Sequence, residues 1–253
     1  MKEVRLRIPT EYVKLSQKQL VFISRLFLLR YSEAEFLVKA FLYLSGLKLF
    51  DKEPDADGAR WFKYKKYRKP FLLTADQVAQ MAEKCRFLLE AGEIKPIRWI
   101  QFARARHYRL YNASFDEYLM AENYYFAYIE TKKDEHLDNL ISVLYRRPWH
   151  RWRSKKIQRR ARRFRNVDPE IKNSVFMWYI GFRALVPKRC PKLFSGKKSS
   201  GNFSIRNYIN GMIHQLNNGD ITLNKKLLRQ RVWNALDELE QRALQAEELT
   251  EKK

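Results

Sequence analysis

The chain has 253 residues, 45% of them hydrophobic and 14% aromatic, which supplies a real core and excludes a disordered chain. Lys and Arg number 51 against 28 Asp and Glu, a net charge of +23, and so large an excess repels itself unless something acidic offsets it in use: nucleic acid, an anionic membrane surface or an acidic protein. Two cysteines, Cys85 and Cys190, exclude a disulfide framework and read as buried thiols. No stretch approaches the ~20 apolar residues of a membrane span, because Arg25 interrupts residues 20–29 and Arg183 interrupts residues 175–186. Lys2, Arg5 and Arg7 are not followed by the apolar region of a secretory leader, so the expected compartment is the cytoplasm.

The first helix is expected over residues 17–30, where Ser16 and Gln19 match a capping box and Leu20, Ile23, Phe27 and Leu28 share a face. Ser32 and Glu35 open a second helix, with Phe36, Ala40, Tyr43 and Leu44 inward and Gly46 as its stop. Residues 61–67 alternate aromatic and basic side chains and read as a short strand ending before Pro70. Thr74 and Gln77 open a helix to about Ala91, stopped by Gly92. Residues 97–111 lack helical period and read as one or two strands pairing with residues near 61–67.

Ser114 and Glu117 form a fourth capping box, opening a helix that ends near Lys132; another follows over residues 134–145. Asp168-Pro169 opens an apolar helix that Pro187 and Pro191 should end. A Lys/Ser/Gly loop covers residues 197–202. Helices follow from Ile205 to the Asn217-Asn218-Gly219 turn, and from a cap at Asn224 toward an acidic tail. Four capping boxes, each preceding an apolar stripe, are mutually consistent. The expected fold is mainly α: a compact multi-helix domain with a small antiparallel β element at about residues 60–68 and 97–111. Three regions are expected: residues 1–145, a basic arm at 146–167, and 168–253.

The most unusual stretch holds Arg146, Arg147, Arg151, Arg153, Lys155, Lys156, Arg159, Arg160, Arg162, Arg163 and Arg165: eleven cations in twenty residues, with His150 and no acid. Trp149, Trp152 and Phe164 are interleaved as aromatic support, and Ile157, Ala161 and Phe164 recur at i, i+4, i+7. One reading is a polyanion-binding arm, since guanidinium groups fork onto phosphate or carboxylate and stack on aromatic faces. The other is a solvated basic helix anchored by its aromatics. If the polyanion is nucleic acid, backbone contact is expected rather than base readout, because no zinc-finger, helix-turn-helix or RNP-like motif is present. A second patch, Arg60 to Lys69, reads either as a stacking surface or as a half-buried strand. If the belt is exposed, neutralising Arg159, Arg160, Arg162 and Arg163 should leave folding nearly intact.

His107, His136, His150 and His214 form no ligand pattern, so no metal is expected. Gly196-Lys197-Lys198-Ser199 lacks the earlier glycine and preceding strand of a P-loop. No nucleophile–base signal appears, so the expectation is a non-enzyme without a cofactor.

Three segments resemble a known group. They are Leu15-Ser16-Gln17-Lys18-Gln19 through Phe36-Leu37-Val38-Lys39-Ala40-Phe41-Leu42; Ser114-Phe115-Asp116-Glu117-Tyr118 through Leu140-Ile141-Ser142-Val143-Leu144-Tyr145-Arg146-Arg147-Pro148; and Trp233-Asn234-Ala235-Leu236-Asp237-Glu238-Leu239. Together they are similar to proteins of tailed bacteriophages and prophages of gut bacteria associated with virion (tail) morphogenesis. The resemblance implies a tail-assembly or virion-associated interaction protein, located in the host cytoplasm or the virion. Its partner would be an acidic phage structural protein, such as a tape-measure or tube protein, or packaged DNA. A homo-oligomer fits the same implication, since phage assemblies are often rings or filaments. The matching motifs are structural, so no catalytic residue is carried over. The alternative is a sequence-tolerant nucleic-acid-binding protein.

Overall fold

The computed structural model describes residues 6–50, 53–55, 58–64, 69–194 and 205–251. The protein is mainly α, with two small three-stranded antiparallel sheets. It forms two compact units, residues 1–95 with 169–177 and residues 96–168 with 178–253. These units cut the chain elsewhere than the three expected regions, and they place all of 146–167 inside the second.

In the first unit, α1 (Gln17–Leu28) and α2 (Glu33–Ser45) each begin with the expected capping box. Gly46 ends α2 at φ +74°, a left-handed conformation that costs glycine little. Leu20, Ile23 and Leu26 of α1 are buried, as are Phe36, Leu37, Ala40, Phe41 and Leu44 of α2. Phe27, Leu28 and Tyr43, expected inward, are all exposed; the Tyr43 ring instead lies flat on Phe22 at 3.7 Å.

The first sheet joins β1 (Leu47–Leu49), β2 (Arg60–Tyr64) and β3 (Phe71–Leu73) in that order, with Leu47 opposite Tyr64 and Phe62 opposite Phe71. Phe62 and Tyr64 are buried while Trp61 and Lys63, on the other face, are half-buried and exposed, the alternation of a half-buried strand. The expected pairing of this strand with residues 97–111 is not made. The period of 2 identifies a strand but not its partner, and two three-residue runs flanking β2 take both its edges. Lys65, Lys66, Tyr67 and Arg68 of the second basic patch lie outside the described residues, as does the 197–202 loop with its GKxS string.

α3 (Ala75–Ala82) opens with the Thr74–Gln77 box but gives way to a 3-10 helix over Glu83–Leu89, short of the expected end. Gly92 is not a left-handed stop. It makes room for Tyr12, whose ring would lie 2.8 Å from a Cβ there. α7 (Pro169–Arg189) starts in this unit, where the Ser24 hydroxyl donates to Glu170 O at 2.6 Å and the Asn173 amide donates to Ser24 O at 3.1 Å.

In the second unit, β4 (Trp99–Ile100), β5 (Ala103–Ala105) and β6 (Tyr145–Arg146) form the other sheet, with Arg104 opposite Arg146. α4 (Phe115–Thr131) and α5 (Asp134–Leu144) form a hairpin whose corner residue, Lys132, adopts φ +55°. α6 (Ile157–Ala161) lies between 3-10 turns at Ser154–Lys156 and Arg162–Phe164. Its stripe of Ile157, Ala161 and Phe164 is buried, as the spacing predicted.

α7 runs through Pro187 to Arg189 rather than stopping there. Only one amide is lost, and Cys190 N–H donates to Val186 O at 2.8 Å, restoring the ladder one turn later. α8 (Ile205–Asn217) precedes α9 (Asn224–Arg229) and α10 (Val232–Glu251). Asn224 caps nothing; its Oδ1 accepts from the Asn217 amide at 2.7 Å. The expected single last helix breaks at Gln230–Arg231, because the backbone there pairs with the start of α4. Phe115 N–H donates to Gln230 O at 2.8 Å, and Val232 N–H donates to Ala113 O at 3.1 Å.

Trp178, Tyr179 and Phe182 of α7 fill the core of this unit with Phe115 and Tyr118 of α4 and Trp233 and Leu236 of α10. Cys85 and Cys190 are both buried free thiols, and burial pushes each up to about 11. Among the described residues no helix is long and apolar enough to cross a membrane.

Glu122 of α4 is 1% exposed and accepts from Tyr179 Oη at 2.8 Å and Arg183 Nε at 2.9 Å. The Arg183 guanidinium lies over the Tyr125 and Phe126 rings at 4.2 and 4.6 Å. Burial raises the Glu122 carboxyl above its ordinary range, against the pull of Arg183 and Tyr179. A raised carboxyl favours the protonated folded state, so its contribution to stability is full below the ordinary carboxylate range and is lost as pH rises through its folded value. Glu122→Gln is expected to flatten that part of the stability–pH curve, measured by chemical denaturation across the weakly acid range.

Candidate polyanion-binding site

The site is organised around one carboxylate. Ser114 caps α4, and the Glu117 side chain reaches back to accept Ser114 N–H through Oε2 at 2.9 Å. Its other oxygen, Oε1, accepts Arg106 Nε at 2.9 Å, and Arg146 Nη1 lies 3.6 Å away. The Glu117 and Arg106 side chains are 5% and 11% exposed, so this charge pair is largely withdrawn from water. Arg106 reaches it from the chain after β5, and Arg146 from β6, the strand that follows α5 directly.

Arg160 of α6 adds a third guanidinium. It stacks on Trp152 at 5.0 Å, and its buried Nε and Nη2 make no hydrogen bond. Burial, and then repulsion from Arg146, makes it easier to deprotonate than an ordinary arginine, and Glu117 offsets this only in part. Trp152 is held from its polar end, where its indole N–H donates to Asp116. Burial raises the Asp116 carboxyl, and this hydrogen bond works against the rise.

The remaining belt faces solvent. Arg151, Arg153, Lys155, Lys156, Arg159, Arg162, Arg163 and Arg165 are exposed, and Arg146 and Arg147 are half-buried. Among the described residues Arg147, Arg151, Arg153, Lys155, Lys156, Arg159, Arg162 and Arg163 make no ion pair with a carboxylate of this chain. The aromatics divide. Phe164 is core, Trp152 is a half-buried platform for Arg160, and Trp149 stands 90% exposed. Arg160 therefore departs from the expectation that four neighbouring arginines are plain surface charges.

A cleft of about 540 Å³ opens beside Glu117. Its walls carry Arg106, Arg146, Arg151 and Arg153 on one side of the sequence and Lys225, Arg229 and Arg231 on the other, against Asp116 and Glu117 alone. The helix break at Gln230–Arg231 brings the second group in, because its backbone bridges to Ser114. Arg106 lies between Arg104 and Arg109, and Lys225, Arg229 and Arg231 lie with Lys226 in a second short basic run, but nothing in either run marks that they converge beside the capping box at Ser114. Chemically, the cleft offers forked donors and fixed positive charge at a helix start, with a tryptophan in its lining, and so suits phosphate or carboxylate groups.

Two stability predictions follow from the hub. Glu117→Gln leaves Arg106 and Arg146 without a counter-charge, so it should cost about 3–5 kcal/mol, against about 1 kcal/mol for Ser114→Ala, in urea unfolding. Arg160→Met keeps the stem and removes a desolvated charge among like charges. It should raise the melting temperature at low salt, while Arg159→Ala and Arg162→Ala leave it nearly unchanged.

Compared with known proteins, the chain matches no family model, no curated protein and no solved structure, so the reading of this site rests on its own residues.

Proposed function

We propose that the protein is a non-enzymatic interaction protein that binds nucleic acid through its phosphate backbone, without sequence preference. The observation that carries this reading is the eight-cation face of the belt, which finds no carboxylate partner among the described residues. Crowded guanidinium and ammonium groups repel one another, and a polyphosphate relieves that repulsion while releasing its own counterions. The cleft beside Glu117 extends the same positive surface with Lys225, Arg229 and Arg231.

The resemblance to virion-morphogenesis proteins of tailed phages supports a setting for this activity: a tail-assembly or virion-associated protein whose belt meets packaged DNA. The second reading, in the same setting, is an acidic phage structural protein as the partner. Its support is that the resembling segments at Ser16, Ser114 and Trp233 fall in α1, α4 and α10, scaffold helices rather than a catalytic site.

Titration of labelled DNA and RNA across a salt series tests the proposal. Affinity should fall on the order of 10³–10⁵-fold between about 50 and 200 mM salt if six or more phosphates are contacted. Arg151→Ala, Arg153→Ala and Arg229→Ala should each weaken binding for every sequence alike and shallow the salt slope by roughly one phosphate. No binding to either polymer at low salt would leave the acidic-protein reading.

A further inference from the structure

The second sheet sets two turns side by side. β4 and β5 are joined by a two-residue turn, Gln101-Phe102, since Ile100 pairs with Ala103. β5 pairs antiparallel with β6 in the register Arg104 opposite Arg146, so that turn lies at the end of the sheet where the chain leaves β6 into Arg147. There His150 N–H donates to Arg147 O at 3.0 Å, closing a second turn with Pro148 and Trp149 at its crest. The first turn is held in place although Gln101 adopts φ +53°, a conformation ordinarily taken by glycine or asparagine. Its side-chain amide donates to Arg163 O at 2.9 Å and ties the hairpin to the belt.

Each turn presents a bare aromatic ring: Phe102 is 75% exposed and Trp149 is 90% exposed. Neither serves the core. Beside the first turn lies a small pocket of about 30 Å³ whose lining includes Phe102, Arg146, Arg147, His150, Arg160 and Arg163, without an acid. The Arg147 guanidinium lies over the Phe102 ring at 5.8 Å, and the Arg160 side chain also lines the pocket, with its Nε and Nη2 themselves buried. Cations alone would serve any phosphate polymer. Exposed rings beside them add something only where bases are unstacked, because the bases of a duplex already cover one another.

We propose that Phe102 and Trp149 are base-stacking platforms that make the belt prefer single-stranded nucleic acid, with a phosphate of the same strand held at Arg146, Arg160 and Arg163. The inference rests on the nucleic-acid reading above and deepens it. A phosphate at the pocket meets guanidinium groups and no carboxylate, and successive nucleotides alternate between ring and guanidinium as in sequence-tolerant single-strand grooves.

Fluorescence anisotropy on the full chain tests it, with a labelled oligothymidine and a duplex of equal length at one salt concentration. The single strand should bind more tightly. Phe102→Ala and Trp149→Ala should each weaken it about tenfold, leave duplex affinity unchanged, and leave the melting temperature within a degree or two, while Phe102→Tyr keeps the preference. Tryptophan fluorescence should be quenched by the single strand, and less so in Trp149→Ala, since five other tryptophans remain. Equal affinity for both forms, or equal losses on both from the alanine variants, overturns this inference and spares the proposed function. Failure of both the single strand and the duplex to bind overturns both.

Discussion

Glu117 is the constraint on which the second unit depends. One of its oxygens closes the capping box of α4, and the other is the only carboxylate oxygen among the described residues that ion-pairs with Arg106 and Arg146. A withdrawn carboxylate with a single guanidinium would be a closed pair. Here Arg160 joins the same cluster, so positive charge exceeds negative even in the least exposed part of the site. The cluster is bearable because the helix start, the tryptophan platform and the second sheet hold its members apart at fixed distances. The same fixity leaves the excess charge directed outward, toward the cleft and the belt.

Much of the scaffold was readable from local chemistry. All four capping boxes, at Ser16, Ser32, Thr74 and Ser114, start helices where the sequence places them, because a cap depends on residues only three apart. The buried stripe of Ile157, Ala161 and Phe164 was equally legible. The misreadings have several sources. β2 pairs with the short runs that flank it, α7 passes Pro187 because only one amide is lost, and the last helix breaks at Gln230 because its backbone pairs with the start of α4, far earlier in the chain. Gly92 shows the same limit: it looks like a helix stop but serves the ring of Tyr12.

The candidate site divides along the same line. The belt was visible because its cations are neighbours in sequence. Its separation into exposed charges, three half-buried arginines at Arg146, Arg147 and Arg160, and one bare tryptophan was not, because alternation of Arg with aromatics does not say which ring lies beneath a cation and which faces water. Lys225, Arg229 and Arg231 lie in a short basic run of their own, whose place beside the belt no local pattern announces. They enter the cleft only through the backbone bridge from Arg231 to Ser114.

That bridge has a bearing on biosynthesis. Its two partners are separated by roughly a hundred residues of chain, so the far wall of the cleft emerges from the ribosome well after the belt does. For that interval the nascent polypeptide carries its arginines without Lys225, Arg229 and Arg231, and the cleft takes shape only once both partners of the bridge have been made.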